Sequence, residues 1–218
     1  MSTRGIYGLV VDDKVKAGYN HFDSYPENLG LIALSSCNRI ASDFDNYYAK
    51  AEQVRRVDPD DVPTSRQVKK FENYLAEHWM RNDKEKPSWY DLLHALQGDF
   101  LGTINLGFIN DNRAFAGDSL FCEWGWLINF DDRCLECYRG FVPYGEGIPL
   151  SEGRFADMEP EIAAHRTNQY GPIHLLGTFP FDSLPDEEDF IVTVQDWFNT
   201  SCKRFNEEPQ YETRTASA

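Results

Sequence analysis

The residues best suited to chemistry in this chain stand together at Asn20-His21-Phe22-Asp23-Ser24-Tyr25-Pro26. The run sets an amide, an imidazole, a carboxylate, a hydroxyl and a phenol side by side. His21 is the natural general acid or base, because an imidazole titrates near neutrality. Asp23 would orient its ring. Ser2, Thr3 or Ser24 would be the nucleophile, and Asn20 with Arg4 would polarise a carbonyl or carboxylate. Hydrolysis of a small amide or ester is the reaction class that follows. The same residues admit a reading without chemistry, in which they hold a nucleotide-like ligand. Tyr7, Tyr19 and Tyr25 then stack, Arg4 grips an anion as a bidentate fork, and Asn20 and Ser24 supply hydrogen bonds. A plainer alternative makes Asp23 and Ser24 turn residues that bond backbone amides ahead of Pro26.

These groups need a scaffold, and the flanking sequence supplies one. Residues 3–11 read as a strand, Asp12-Asp13 as a tight turn and residues 14–19 as the returning strand. Strand ends are where rigid scaffolds present reactive groups. A two-residue turn sets Val10 opposite Val15, Gly8 opposite Ala17, Ile6 opposite Tyr19 and Arg4 opposite His21. Thr3, Gly5, Tyr7, Leu9, Lys16, Gly18, Asn20 and Phe22 share the other face. Gly5, Gly8 and Gly18 inside strands mark close approach of another group.

Beyond this hairpin, Leu29, Ile32, Ala33, Ser36 and Ile40 carry helical spacing over residues 28–50, with a break near Ser42-Asp43. Residues 53–59 read as extended. Thr64 caps a helix reaching residue 80, striped by Val68, Phe71, Leu75 and Trp79. Ser88 caps a second helix, which Gly98 ends, and a glycine-interrupted helix is expected over residues 99–115. A second hairpin spans 120–141, turning at Asp131-Asp132, with Ile128 opposite Leu135, Trp126 opposite Cys137 and Trp124 opposite Arg139, the last either a cation–π pair or a plain edge contact without function. Residues 142–170 are long for a loop without structure, which suggests a functional lid or a surface for a protein partner. Residues 173–179 make a further strand, and residues 186–202 a helix opened by acidic residues. The fold class is therefore α+β, an antiparallel sheet of two hairpins plus one strand covered by about five helices. Residues 1–206 are expected to form one domain and 207–218 a disordered tail.

Composition narrows the partners. A net charge of −15 repels phosphate backbones, so nucleic acid is not expected. No segment approaches the ~20 apolar residues of a membrane span, and no secretory signal is visible, so neither a membrane nor export is expected. An odd count of 5 cysteines suits reduced thiols in the cytoplasm. Cys134 and Cys137 have C-x-x-C spacing but no second ligand pair, and no metal or other cofactor is required. A small-molecule ligand or substrate is the expected partner.

Several segments together resemble a known family. They are T-R-G-I-Y-G from Thr3, Y-N-H-F-D-S-Y-P from Tyr19, S-W-Y-D-L-L from Ser88 and Gln97-Gly98. D-S-L-F-C-E-W from Asp118 and Y-R-G-F from Tyr138 complete the set. They resemble a widespread family of uncharacterised bacterial and phage proteins, over most of the chain up to Phe198. The resemblance implies no established activity, and its occurrence in phages implies a link to host–phage conflict. The opening hairpin also resembles the start of N-terminal-nucleophile amide hydrolases, whose layered fold it would imply. In that family the first Thr, Ser or Cys attacks and its own α-amine is the base. Loss of Met1 would leave Ser2 first, while Thr3 aligns with the strand start.

Overall fold

Two aspartates set the first hairpin. Asp12 and Asp13 both take left-handed backbone conformations, φ +52° and +57°, the angles that a two-residue type I′ turn needs. β1 (Gly5–Val11) and β2 (Lys14–Asn20) pair in the predicted register, with Val10 opposite Val15 and Ile6 opposite Tyr19. This computed structural model describes residues 3–77, 86–158 and 170–205.

From β2 the chain passes a π-helical turn (Pro26–Gly30) into α1 (Leu31–Ala41) and α2 (Phe44–Glu52), broken at Ser42-Asp43 as expected. β3 (Arg55–Val57) and α3 (Ser65–Glu77) follow. Thr64 caps α3, since its Oγ1 accepts the Gln67 N–H at 3.4 Å and Gln67 Oε1 accepts the Thr64 N–H at 2.7 Å. That exchange satisfies orphan donors of the first turn. Ser88 and Asp91 repeat it for α4 (Trp89–Leu93). The predicted end of α3, including Trp79, lies outside the described residues.

The helix expected over 99–115 is corrected. α5 (Phe100–Leu106) begins where Asp99 accepts the Gly102 N–H at 2.8 Å and stops at Gly107, φ +78°. A left-handed residue ends the helical ladder. β4 (Phe108–Asn110) follows, parallel to β3 in a two-stranded sheet, and then a 3₁₀ turn (Arg113–Gly117). Leu101, Ile104, Phe108 and Phe115 keep helix-like intervals across that glycine, so periodicity alone continues the helix.

β5 (Trp124–Asn129) and β6 (Cys134–Arg139) form the second hairpin in the predicted register. Asn129 builds its turn, accepting the N–H groups of Asp131 and Asp132, each at 3.0 Å. The Arg139 guanidinium lies 4.9 Å from the Phe198 ring centroid, and Phe198 packs on Trp124 at 5.7 Å. β7 (His174–Pro180) joins β6 antiparallel, and α6 (Glu187–Arg204) starts where Asp186 accepts the Asp189 N–H at 2.9 Å.

The main sheet runs β2-β1-β5-β6-β7. It is antiparallel except at its middle, where β1 and β5 are parallel and Tyr7 faces Trp126. The long connection between them carries the crossover that parallel neighbours require. One sheet face buries Tyr7, Leu9, Trp126 and Ile128 against Leu34, Ile104 and Phe190 from α1, α5 and α6. On the other face Ile6, Val10, Leu127 and Tyr138 meet Ala116 and Phe155. Phe71, Trp89, Leu92 and Leu106 make a satellite core that joins α3, α4 and α5.

Phe155 belongs to the 142–170 excursion, whose residues 159–169 lie outside the described residues, as does the expected tail at 207–218. The described part is pinned down, with Arg154 Nε 2.8 Å from Glu136 Oε1 and the Gly171 N–H donated to Val142 O at 2.9 Å. Among the described residues no helix is long and apolar enough to cross a membrane.

Candidate functional site

The loop that leaves β2 is held by its own polar side chains. Asn20 Nδ2 donates to Ser24 Oγ at 2.8 Å and also to the Phe22 carbonyl. The Ser24 N–H donates to Thr3 O at 3.0 Å, and Ser24 O accepts the Trp126 indole N–H at 2.8 Å. Ser24 is 0% exposed. Its hydroxyl lies against Gly5, where a Cβ would come within 2.3 Å of Trp124 O and 2.8 Å of Ser24 Cβ. Asp23 is exposed, with φ +52°, and its carbonyl accepts the Leu29 N–H at 3.2 Å. Asp23 and Ser24 thus both lie in the turn ahead of Pro26, held there by backbone hydrogen bonds, and the Ser24 hydroxyl meets the Asn20 side chain in place of the backbone amide expected. Tyr25 is half-buried against the main core, and its carbonyl receives the Asn28 and Gly30 N–H groups. Thr3 is half-buried, and Ser2 lies outside the described residues.

Arg4 and His21 do converge, as the register predicts, and they converge on Tyr19. Tyr19 Oη is 2.8 Å from His21 Nδ1, and the Arg4 charge acts on the Tyr19 phenol. Burial pushes the Tyr19 phenol up, against the lowering influence of Arg4. The Arg4 guanidinium lies 4.6 Å over the Phe121 ring, and its backbone N–H donates to Glu123 Oε1 at 3.2 Å. Burial likewise raises the Glu123 carboxyl. The His21 N–H donates to Gln97 Oε1 at 3.1 Å, tying the end of β2 to the turn after α4.

Beside this cluster is a cavity of about 60 Å³. Tyr7, Gly18 and Tyr19 line it from the first hairpin, and Asn110 and Asn112 from the end of β4. Pro59, Tyr90, Leu93 and Gln97 complete the lining. Asn112 is anchored, its Oδ1 accepting the Tyr19 N–H at 3.2 Å and its own N–H donated to Ala17 O at 2.9 Å. Tyr7 is 3% exposed, its Oη 3.4 Å from Thr103 Oγ1, and burial drives its phenol well up. Asn110 Oδ1 is buried and has no hydrogen-bond partner among the described residues. A buried amide oxygen left unpaired costs about 1–3 kcal/mol.

Of the expected ligand-binding residues, Tyr7 reaches this cavity, while Arg4 approaches it through Tyr19. Asn20, Ser24 and Tyr25 are taken up by the turn and the core. Sequence reasoning missed Tyr90, Gln97, Asn110 and Asn112. The signal for Gln97 was its Gln-Gly pair, and Asn110 with Asn112 was hidden by the helix expected across Gly107. Comparison with protein-family models, with curated proteins and with solved structures finds no match to this chain.

Proposed function

We propose that this protein binds a small uncharged polar molecule in the cavity between the first hairpin, the end of β4 and the α4 region. One observation carries the reading: among the described residues the lining combines the side chains of Tyr19, Tyr90, Gln97, Asn110 and Asn112 and holds no charged residue. A charged group entering such a lining would lose hydration without gaining a counter-charge. The test is a ¹⁵N chemical-shift titration against a panel of small alcohols, ketones, amides, carboxylates and amidines. At least one of the uncharged classes, the alcohols, ketones or amides, should shift the Leu93, Gln97 and Asn110 signals saturably. A flat response at all three across the panel overturns the proposal.

Hydrolysis of a bound amide or ester is the second reading, and the Tyr19–His21 contact supports it. Tyr19 lines the cavity, so a proton can pass between its edge and His21. Under this reading His21→Ala abolishes turnover of a bound amide and leaves its Kd unchanged. Undiminished turnover would remove His21 from the chemistry. None of the five cysteines, all among the described residues, forms a disulfide, and all are buried, which supports a reducing, cytoplasmic setting.

A further inference from the structure

We infer that the cavity takes a neutral cyclic imide, held along its O=C–NH–C=O edge by Tyr19, Gln97 and Asn112. The inference rests on the cavity being a binding site and concerns what that site selects.

The outer edge of β2 sets the pattern. Asn112 Oδ1 accepts the Tyr19 N–H at 3.2 Å, and Gln97 Oε1 accepts the His21 N–H at 3.1 Å. Tyr19 and His21 are two positions apart, so both N–H groups leave the edge that faces away from β1. The Ala17 carbonyl, on the same edge, accepts the Asn112 N–H at 2.9 Å. An antiparallel ladder turns a residue's N–H and C=O to one side. The Tyr19 carbonyl therefore leaves this edge too, between the Asn112 and Gln97 side chains. It accepts no backbone hydrogen bond there from the described residues.

A backbone N–H only donates, so the oxygens of both side-chain amides are fixed and their NH₂ groups remain as donors. Neither NH₂ group has a partner among the described residues, and neither is sealed, because Asn110 Oδ1 alone is both buried and unpartnered there. These three lining residues thus present a donor, an acceptor and a donor in order along one strand edge. An imide edge is the complement, two carbonyl oxygens flanking one N–H. A lactam leaves one NH₂ group without an acceptor, and a ketone leaves the Tyr19 carbonyl without a donor. Pro59, Tyr90 and Leu93 supply wall for a flat ring, and Tyr90 is exposed, so the lining reaches the surface. The volume of about 60 Å³ holds roughly five heavy atoms, judged by the space one water needs, which is the size of that edge.

The test compares ring probes on the full chain by ¹⁵N chemical-shift titration. The probes are succinimide, N-methylsuccinimide, 2-pyrrolidinone, cyclopentanone and uracil. Succinimide should shift the Gln97 and Asn112 side-chain NH₂ signals saturably. N-methylsuccinimide lacks the donor, 2-pyrrolidinone lacks one acceptor, and cyclopentanone lacks both. Each of the three should bind weaker by roughly tenfold or more. Saturation by uracil as well identifies a pyrimidine base as a source of the imide, and saturation by succinimide without uracil confines the source to five-membered imides. Gln97→Glu and Asn112→Asp keep an oxygen for the backbone N–H and lose the NH₂ donor, so each should weaken succinimide by roughly tenfold. The comparison on the unmodified protein decides the matter if these variants fail to fold. Binding of N-methylsuccinimide or 2-pyrrolidinone as tight as that of succinimide would overturn the imide assignment while leaving the cavity a binding site, as would undiminished succinimide binding in both variants. Silence of Leu93, Gln97 and Asn110 toward every probe would overturn both.

Discussion

The indole N–H of Trp126 donates to the carbonyl oxygen of Ser24 at 2.8 Å, across 102 positions of sequence. Trp126 belongs to β5, and Ser24 to the loop that closes β2. Both residues are 0% exposed, so neither group can turn to water. Trp126→Phe removes the donor and some ring volume, orphans the carbonyl, and should cost roughly 2–4 kcal/mol. Urea denaturation measures this, and a loss below ~0.5 kcal/mol would show that the bond is dispensable.

Asp23 tests whether its run is a turn or a catalytic group. Its φ of +52° is one that glycine adopts without strain. Asp23→Gly should leave stability within about 1 kcal/mol of the parent, on the stabilising side, and leave cavity binding unchanged. A clear loss of binding would return Asp23 to the functional site.

His174 makes stability pH-dependent. It is 4% exposed, and its Nδ1 accepts the Glu152 N–H at 3.0 Å. Burial lowers its pKa from 6.5 to about 4, against the raising influence of Glu152 and with smaller lowering contributions from Arg204 and Arg139. The unfolded chain therefore takes up the proton first. The contribution is whole above the unfolded value of 6.5 and is lost as pH falls toward about 4, with a slope of up to ~1.4 kcal/mol per pH unit. Urea melts at about pH 7 and about pH 5 should differ by up to ~2 kcal/mol more in the parent than in His174→Gln. Parallel pH dependence in both would refute the assignment.

Glu136 is 4% exposed and is held by Arg154, by Asn129 Nδ2 at 2.7 Å and by the Tyr138 hydroxyl at 2.7 Å. Removing Arg154 leaves a carboxylate buried without its counter-charge, a loss of roughly 3–5 kcal/mol where a buried pair is broken. Arg154 is partly exposed, so the lower end is expected for Arg154→Ala. The excursion that Arg154 pins should become the first protease-sensitive segment. Limited proteolysis reports this, and an unchanged cleavage pattern would place its anchorage elsewhere.

Both hairpin registers were legible in the sequence, because turn length and strand alternation are local. Asp12-Asp13 alone sets Ile6 opposite Tyr19, and from that pairing the meeting of Arg4 and His21 around Tyr19 follows. The caps at Thr64 and Ser88 were legible for the same reason, since a side chain and the amide it caps lie within one turn. The parallel contact of β1 with β5, the sealing of Ser24 under Trp126 and the arrival of Asn110 beside Tyr19 were settled only by tertiary packing. Each joins segments whose proximity depends on how the helices crossing between them bury their apolar faces, and no spacing within either segment encodes that.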